Sequence, residues 1–475
     1  MQAMEGVVKL SIRQPRRLVW LALLLAASGV LLSTSGAQAA PNRGAVLVKD
    51  INPGRSPSVT EIHSNCGCTY NGGQLTDVRG TLYFSANDGK HGYELWRSDG
   101  TARGTRMVKD INPGTGWSNL YGITAVNGII FFSADDSVHG VELWRSDGTA
   151  RGTSMVNDIR PGSQGSGPFY LTNVRDTLYF TAFDGTNPGL WRSDGTEAGT
   201  IAVKAIGAGN LFGLNGTLYF ENGGGFFTDL WRSDGTGAGT ILVKSHFVYT
   251  LRFIGLNGTL FFIAGDANYQ GSQLWRSDGT EAGTTVVKDF GPGSSIYPGP
   301  TSGGTLYLTA AFTPAGPVPN ELWRSDGTEA GTSLVKQIRR GILELVVAKG
   351  RILYFSSGGA LWRSNGTPRG TTVLKGDYRN NGGLSPVSLT AAKSTLYFTG
   401  ADKRHGLELW RSDGTRAGTT IVRDVHRGAP SSEPTNLTAV GGTLFFTAKD
   451  GRHGRELWRA GPKPCKTAKR KCTKG

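Results

Sequence analysis

Charge is scarce in this chain. Asp, Glu, Lys and Arg make up 18% of its 475 residues, too few for a solvated, disordered polymer. Long apolar runs are scarce too: beyond residues 18–32 no stretch is apolar enough to span a membrane. Only four cysteines are present. The signatures of several enzyme classes are missing: there is no H-E-x-x-H, no G-x-S-x-G, no P-loop and no calcium loop of the D-x-D-x-D-G type. Zincin, nucleophile-elbow, Walker-type and EF-hand chemistry therefore have no foothold in the pattern.

Glycine is what the chain has in excess, 71 residues or about 15% against the usual ~7%. Glycine is a poor helix former, which argues against a helical bundle. Eleven Trp, 14 Tyr and 20 Phe supply material for a core. Residues 1–39 read as a secretory signal: Arg13, Arg16 and Arg17 precede the apolar run, and Ala37-Gln38-Ala39 offers a cleavage site. No Cys follows that site, which argues against a lipoprotein anchor. The expected mature chain is secreted, extracellular or periplasmic, without a transmembrane segment.

The formal net charge is +15, and removing the leader's four basic and one acidic residues leaves +12. Residues 461–475 hold Lys463, Lys466, Lys469, Arg470, Lys471 and Lys474 and no acid. About half of the mature charge thus lies in a short tail, read as a solvated end with contact to an anionic surface as the functional alternative. The body gives no reason to invoke nucleic acid. Cys66, Cys68, Cys465 and Cys472 are disulfide candidates in an exported chain, and four cysteines allow three pairings. A Cys66–Cys68 ring would be strained. A Cys465–Cys472 loop or bridges between the chain ends are favoured.

The organising feature is a repeat. Leu-Trp-Arg occurs nine times, at Trp96, Trp144, Trp191, Trp231, Trp275, Trp323, Trp362, Trp410 and Trp458. Spacings of 39–48 residues point to a propeller, solenoid or array. From each of the first eight Trp to the residue in the Val-Lys position is always 13, as from Trp96 to Lys109. A fixed length across a Gly-rich turn suits a register-locked hairpin, because a one-residue slip reverses every side chain. Asn127-Gly128 between apolar runs marks a second hairpin upstream. Each unit therefore reads as four short strands. The second, as in Leu82-Tyr83-Phe84, is apolar on both faces, which suits a sheet covered by neighbours on both sides.

These features predict an all-β fold, a closed β-propeller of about nine four-stranded blades occupying residues 40–460. The chain ends predict closure. Residues 46–51 form a lone fourth strand, while the last unit stops at Trp458-Arg459 without one. The N-terminal strand is expected to complete the last blade and remove an open edge.

The motif L-W-R-S-D-G-T-x-x-G-T-x-x-V-K-D-I resembles that of the bacterial exported ELWxxDGT-repeat proteins, over about residues 46–459. The resemblance implies a propeller-like secreted repeat protein and carries no established catalytic activity. Glu precedes Leu-Trp in only five units, at Glu94, Glu142, Glu321, Glu408 and Glu456, and Asn365 replaces the turn Asp in one.

The nine Trp are read as structural, packing between blades, with the following Arg pairing the nearby turn Asp. Burying one such side chain is worth about 2–3 kcal/mol or more. A second set, D-x-x-H-G-x-E-L-W, occurs in units one, two, eight and nine. It places Asp88 with His91, Asp136 with His139, Asp402 with His405, and Asp450 with His453. In a closed ring these units are contiguous. These eight residues are the candidate binding positions, against the alternative of a turn in which Asp caps its own backbone. No catalytic residue, metal or cofactor is assigned. Units four, five and seven are shortened between Val-Lys and the next Trp, so any binding is expected on the other arc.

The function expected is an exported, monomeric, non-enzymatic binding or scaffold protein whose partner is an extracellular protein or polysaccharide, anionic if the basic tail takes part. A lectin-like carbohydrate-binding propeller is the alternative, and an exported propeller hydrolase or lyase the third. Fold alone names no ligand.

Overall fold

The computed structural model describes residues 44–59, 75–224, 226–265, 271–312, 320–348, 350–376 and 383–462, which belong to one compact unit. The signal segment, the four cysteines and the basic tail lie outside the described residues. Among the described residues the structure is all-β, 35 strands with no helix. Seven four-stranded antiparallel sheets and one seven-stranded sheet account for all of them, an architecture of propeller type.

Each four-stranded sheet but one follows chain order and holds one repeat. In the first, Thr76–Val78, Thr81–Asn87, Tyr93–Ser98 and Arg106–Lys109 pair in sequence. Phe84 lies opposite Trp96, Trp96 opposite Met107 and Leu95 opposite Lys109, with a bulge between Leu95 and Trp96. The same bulge recurs at the corresponding Leu-Trp step of every other unit that runs on into its own fourth strand. The invariant spacing of 13 is therefore the length of a hairpin and its bulge together.

The turn in that hairpin is a small hydrogen-bonded device. Asp99 Oδ1 accepts from the Thr101 amide at 3.0 Å and its hydroxyl at 2.7 Å. Thr101 Oγ1 in turn accepts from the Gly104 amide, and Thr105 Oγ1 meets Ser98 Oγ at 2.7 Å. Gly104 is required for space: a Cβ there would stand 2.0 Å from Asp99 Oδ1. That contact explains why D-G-T-x-x-G-T recurs as a block.

The exception in chain order is the sheet at the ends. Val46–Lys49 pairs antiparallel with Glu456–Ala460, Leu47 opposite Trp458, so the order is first strand, last strand, then Thr443–Ala448 and Thr435–Val440. The expected completion of the last unit by the N-terminal strand is what the structure has. Val48 of this sheet, and Ile51 just beyond its first strand, also share a buried cluster with Leu82, Phe84 and Trp96 of the first.

The shortened units explain the seven-stranded sheet. Units four and five share one continuous 16-residue strand, Ile241–Leu256, which is the fourth strand of one and the first of the next. Where other units carry a connector, this chain runs straight through.

Cores lie between sheets, as expected for second strands apolar on both faces. Leu82 and Phe84 are fully buried and Tyr83 nearly so. They divide between two clusters, Leu82 and Phe84 in one and Tyr83 in the next.

The nine repeat Trp pack against these clusters, but not equally. Trp96, Trp144, Trp362, Trp410 and Trp458 are buried members of them. Trp191, Trp231, Trp275 and Trp323 are only partly buried and lie at the margins of theirs. Units three to six thus leave part of the indole to solvent. These four units lack the D-x-x-H turn, although unit seven lacks it too and still buries Trp362. Five of the nine Trp stack on a Phe of the second strand. Trp191 lies on Phe180, Trp231 on Phe220, Trp275 on Phe262, Trp362 on Phe355 and Trp410 on Phe398, at centroid distances of 5.7–6.4 Å. Each Phe is the cross-strand partner of its Trp.

The recurring cations of the repeat bond onward to the next unit. Lys49 Nζ donates to the Thr105 carbonyl at 2.9 Å and lies 5.5 Å from the Trp96 ring centroid. Lys109 does the same to Thr153 and Trp144. Arg97 Nη1 donates to the Gly148 carbonyl at 2.9 Å, and Arg145 to Gly195 at 2.8 Å. The expected pair of Arg with its own turn Asp is present as a charge interaction, as of Arg145 on Asp147 and Arg192 on Asp194, and Arg97 and Arg145 also donate across to the following turn.

Candidate functional site

Antiparallel order places the loops of every unit at two ends. The Asn-Gly and Asp-Gly turns occupy one. The loops between second and third strands occupy the other, together with the connectors between units. At this loop end the two kinds of loop are bonded together: the Ser118 amide donates to Tyr93 O, Ser432 to Leu407 O, and Gly454 to Gly54 O. All eight sequence-predicted positions stand here.

The four D-x-x-H turns share one geometry. Asp88 Oδ1 accepts from the Lys90 and His91 amides at 2.9 and 3.1 Å, and His91 Nδ1 lies 2.9 Å from Asp88 Oδ2. His139 Nδ1 is 2.8 Å from Asp136, His405 Nδ1 is 2.9 Å from Asp402, and His453 Nδ1 is 2.8 Å from Asp450. Nδ1 donating to the carboxylate leaves Nε2 outward as the basic nitrogen. Burial works to raise each Asp, and the bonds from His and turn amides outweigh it, holding all four below the ordinary carboxylate range. The bonds from Asp136 and Asp450 raise His139 and His453. His453 Nε2 also stands 3.8 Å from Asp50 Oδ2, so this ring lies between two carboxylates.

The Asp self-capping turn is thus present, and the His is bound into it. This narrows the candidate set. Asp88, Asp136, Asp402 and Asp450 spend their oxygens inside their own turns, so the part of each motif left to face a ligand is the outer edge of His91, His139, His405 or His453. The His405 side chain, at 25% exposure, is the most covered of the four, and His91, at 38%, the least.

The Glu of D-x-x-H-G-x-E is entirely buried in each of these units. Its carboxylate pins the connector. Glu94 accepts from the Ile111 and Asn112 amides, and Glu142 accepts from Ser166 N at 2.7 Å and Ser166 Oγ at 2.5 Å. Glu456 accepts from the Ile51 amide at 2.9 Å and Ser58 Oγ at 2.6 Å, joining residues some 400 apart. Desolvation pushes Glu94 and Glu456 up to about 7 and raises Glu142 and Glu408. By contrast Glu321, which lacks the D-x-x-H turn, accepts from its own Trp323 Nε1 at 2.9 Å. The serine partners were missed from sequence, although Ser166 and Ser432 each lie 24 residues beyond their Glu.

Sequence reasoning also missed an aromatic group at this end. Trp117, in the connector to unit two, is 56% exposed and meets Tyr93 edge-on at 5.0 Å. Tyr121, Phe169 and Tyr170, at the starts of first strands, follow at centroid distances of 5.4 and 5.1 Å. Phe226 is exposed in unit four. None of these belongs to the repeat motif, which is why periodicity passed over them.

Among the described residues no three His, Cys, Asp or Glu side chains are grouped to hold a metal ion, and no helix is long and apolar enough to cross a membrane. No family model and no curated protein matches the chain. Solved structures do. Puromycin hydrolase is similar at 13% identity and TM-score 0.38, over 69% of this chain and 58% of that one. Prolyl oligopeptidase B from Galerina marginata is similar at 11% and 0.42, over 70% and 56%. An oligogalacturonate lyase in complex with manganese is similar at 15% and 0.38, over 72% and 98%. This chain thus spans little more than half the length of the two peptidases. The likeness is one of fold. Against the expectation that the chain is not an enzyme, the similar structures are peptidases and a lyase; a likeness of fold alone gives this chain no activity.

Proposed function

We propose that the chain is an exported propeller, a closed ring of nine blades, that binds an extracellular ligand on its loop end across units eight, nine, one and two. Closure is supported by the Leu47–Trp458 pairing and by the buried cluster joining the last sheet to the first. The observation that carries the binding reading is the uneven distribution of loops. Units eight, nine, one and two hold long connectors locked by Asp–His turns and buried Glu, whereas units four and five run through on a single strand. Rigid loops on rigid sheets are what a preorganised binding face requires.

A second reading, hydrolysis or elimination on the bound ligand, is favoured by one arrangement. His453 is oriented by Asp450 through Nδ1 and faces Asp50 with Nε2, a geometry that suits proton transfer.

Hydrogen exchange of the full chain, with and without a panel of purified cell-envelope polysaccharides, tests the first reading. Protection is expected over residues 50–58, 88–92, 402–406 and 450–454. Protection confined to the Asp-Gly turns would refute it. Release of shortened product from the panel, lost in His453→Gln with binding retained, would establish the second.

A further inference from the structure

The loop end is chemically divided, and the division identifies a ligand class. In units eight, nine and one the tips of the loops are basic: Arg55, Lys90, Lys403, Arg404, Arg427 and Arg452 are all exposed. Most acids of the same loops are engaged within the fold. Asp88, Asp402 and Asp450 spend their oxygens on turn amides and His. Glu94, Glu408 and Glu456 are sealed beneath the connectors. Glu433 is neutralised by Arg455 at 3.0 Å and Lys449 at 2.7 Å. Solvent therefore meets cations at the tips, above carboxylates that are mostly bonded to turn amides, His or Arg; Asp50 and Asp424, in the same connectors, are half-buried and each keeps one buried oxygen without a partner.

Continuing from unit one into units two to four, the tips cease to be basic and become aromatic. Trp117 and Phe226 are more than half exposed and Tyr170 nearly so. Guanidinium and ammonium groups recognise carboxylates, and an exposed aromatic face stacks on a flat, partly apolar ring. A polymer that crosses several loops gains avidity from contacts that are individually weak.

We propose that the ligand is an acidic polysaccharide, a polymer of pyranose rings bearing carboxylates. Its anionic groups are held by the tips of units eight, nine and one, and its ring faces rest on Trp117 and Tyr170. This rests on the loop-end reading above and narrows it to one substrate class.

The test is binding of the full chain, with its basic tail intact in every arm, to immobilised alginate, to neutral dextran and to single-stranded DNA. Alginate binding is expected to weaken as salt rises. The triple variant Lys403→Glu, Arg404→Glu, Arg452→Glu should weaken it at least tenfold. The double variant Trp117→Ala, Tyr170→Ala should weaken it severalfold. Thermal melting should be unchanged in both, since all five side chains are at or near the surface. Alginate binding equal in wild type and charge-reversed protein overturns the proposal, as the tail would then account for it. DNA bound as tightly as alginate overturns the glycan class. Dextran bound as tightly as alginate, and lost only in the aromatic double variant, overturns the acidic class while leaving the loop-end reading in place. Alginate protecting only the Asp-Gly turns from exchange overturns both.

Discussion

Leu47 lies directly opposite Trp458 in an antiparallel pair, 411 positions apart in a chain whose other strands pair almost wholly with sequence neighbours. Val48, the next residue, is 5% exposed between this sheet and the first. A carboxylate at that place would be buried without a partner. Val48→Asp is expected to cost about 3 kcal/mol or more. Val138→Asp, at a position 62% exposed, should change stability by less than about 0.5 kcal/mol. A chain beginning at residue 52 should melt lower than one beginning at 43, and a peptide of residues 43–51 added in trans should raise the melting temperature again. No response to the peptide would mean that the end strand contributes nothing to closure.

Arg97 gives a second expectation. Its Nη1 reaches the Gly148 carbonyl of the following unit at 2.9 Å. Charge-assisted bonds of this kind are worth about 1.5–3 kcal/mol when lost, and this one is only partly buried. Arg97→Ala should therefore cost about 1–2 kcal/mol by denaturant unfolding. Arg97→Lys should recover little of it, since a single ammonium lacks the planar reach of the guanidinium. Full recovery by Lys would show that charge alone, not the bond to Gly148, is what stabilises.

Much of this was legible in the repeat. The nine Leu-Trp-Arg motifs located the third strands, the constant 13 located their hairpins, and residues 46–51 identified the strand that completes the last unit. Legibility ended where contacts cross units. Arg97 sits two residues from Asp99, and sequence distance favoured that pair, but the carbonyl it donates to is 51 residues away. Identical motifs also concealed unequal burial, since the cover over Trp191 or Trp275 comes from other segments of the fold and not from Leu-Trp-Arg itself. The D-x-x-H motif was visible as a turn, whereas the role of its Glu depended on a connector 17 to 24 residues later. Trp117 and Tyr170 break the period instead of following it, so a pattern search had no reason to select them.

The buried glutamates fix the direction of the pH dependence. Glu94 and Glu456 sit at about 7 in the folded chain, raised by desolvation from the ordinary 4.5. A raised folded value means that the folded state holds the proton more tightly. Their contribution is full below pH 4.5 and is lost as pH rises through about 7. The shift corresponds to a few kcal/mol for each group, on the order of 3. His139 and His453 are raised as well and act in the same direction. Wild-type melting temperature should therefore fall between about pH 5 and about pH 8. The double variant Glu94→Gln, Glu456→Gln, which keeps one acceptor oxygen at each site, should flatten that fall. An unchanged slope in the double variant would remove the glutamates as its cause.

The turn of the repeat allows the sharpest test, because two residues there compete for one space. A Cβ on Gly104 would stand 2.0 Å from Asp99 Oδ1. That oxygen is held in place by the Thr101 amide and hydroxyl, at 3.0 and 2.7 Å. Gly104→Ala must therefore push the carboxylate off its partners and is expected to cost about 2 kcal/mol. Asp99→Ala loses the same turn bonds without a clash and should cost about 1 kcal/mol. Because both changes break one device, the double variant should cost well under their sum, an interaction of roughly 1 kcal/mol in a double-mutant cycle. The same cycle at Asp147 and Gly152 should give the same sign, since a Cβ on Gly152 would lie 2.2 Å from Asp147 Oδ1. Strict additivity at both turns would mean that the Gly and the Asp act independently, and that the recurrence of Asp-Gly-Thr-x-x-Gly has a cause other than this contact.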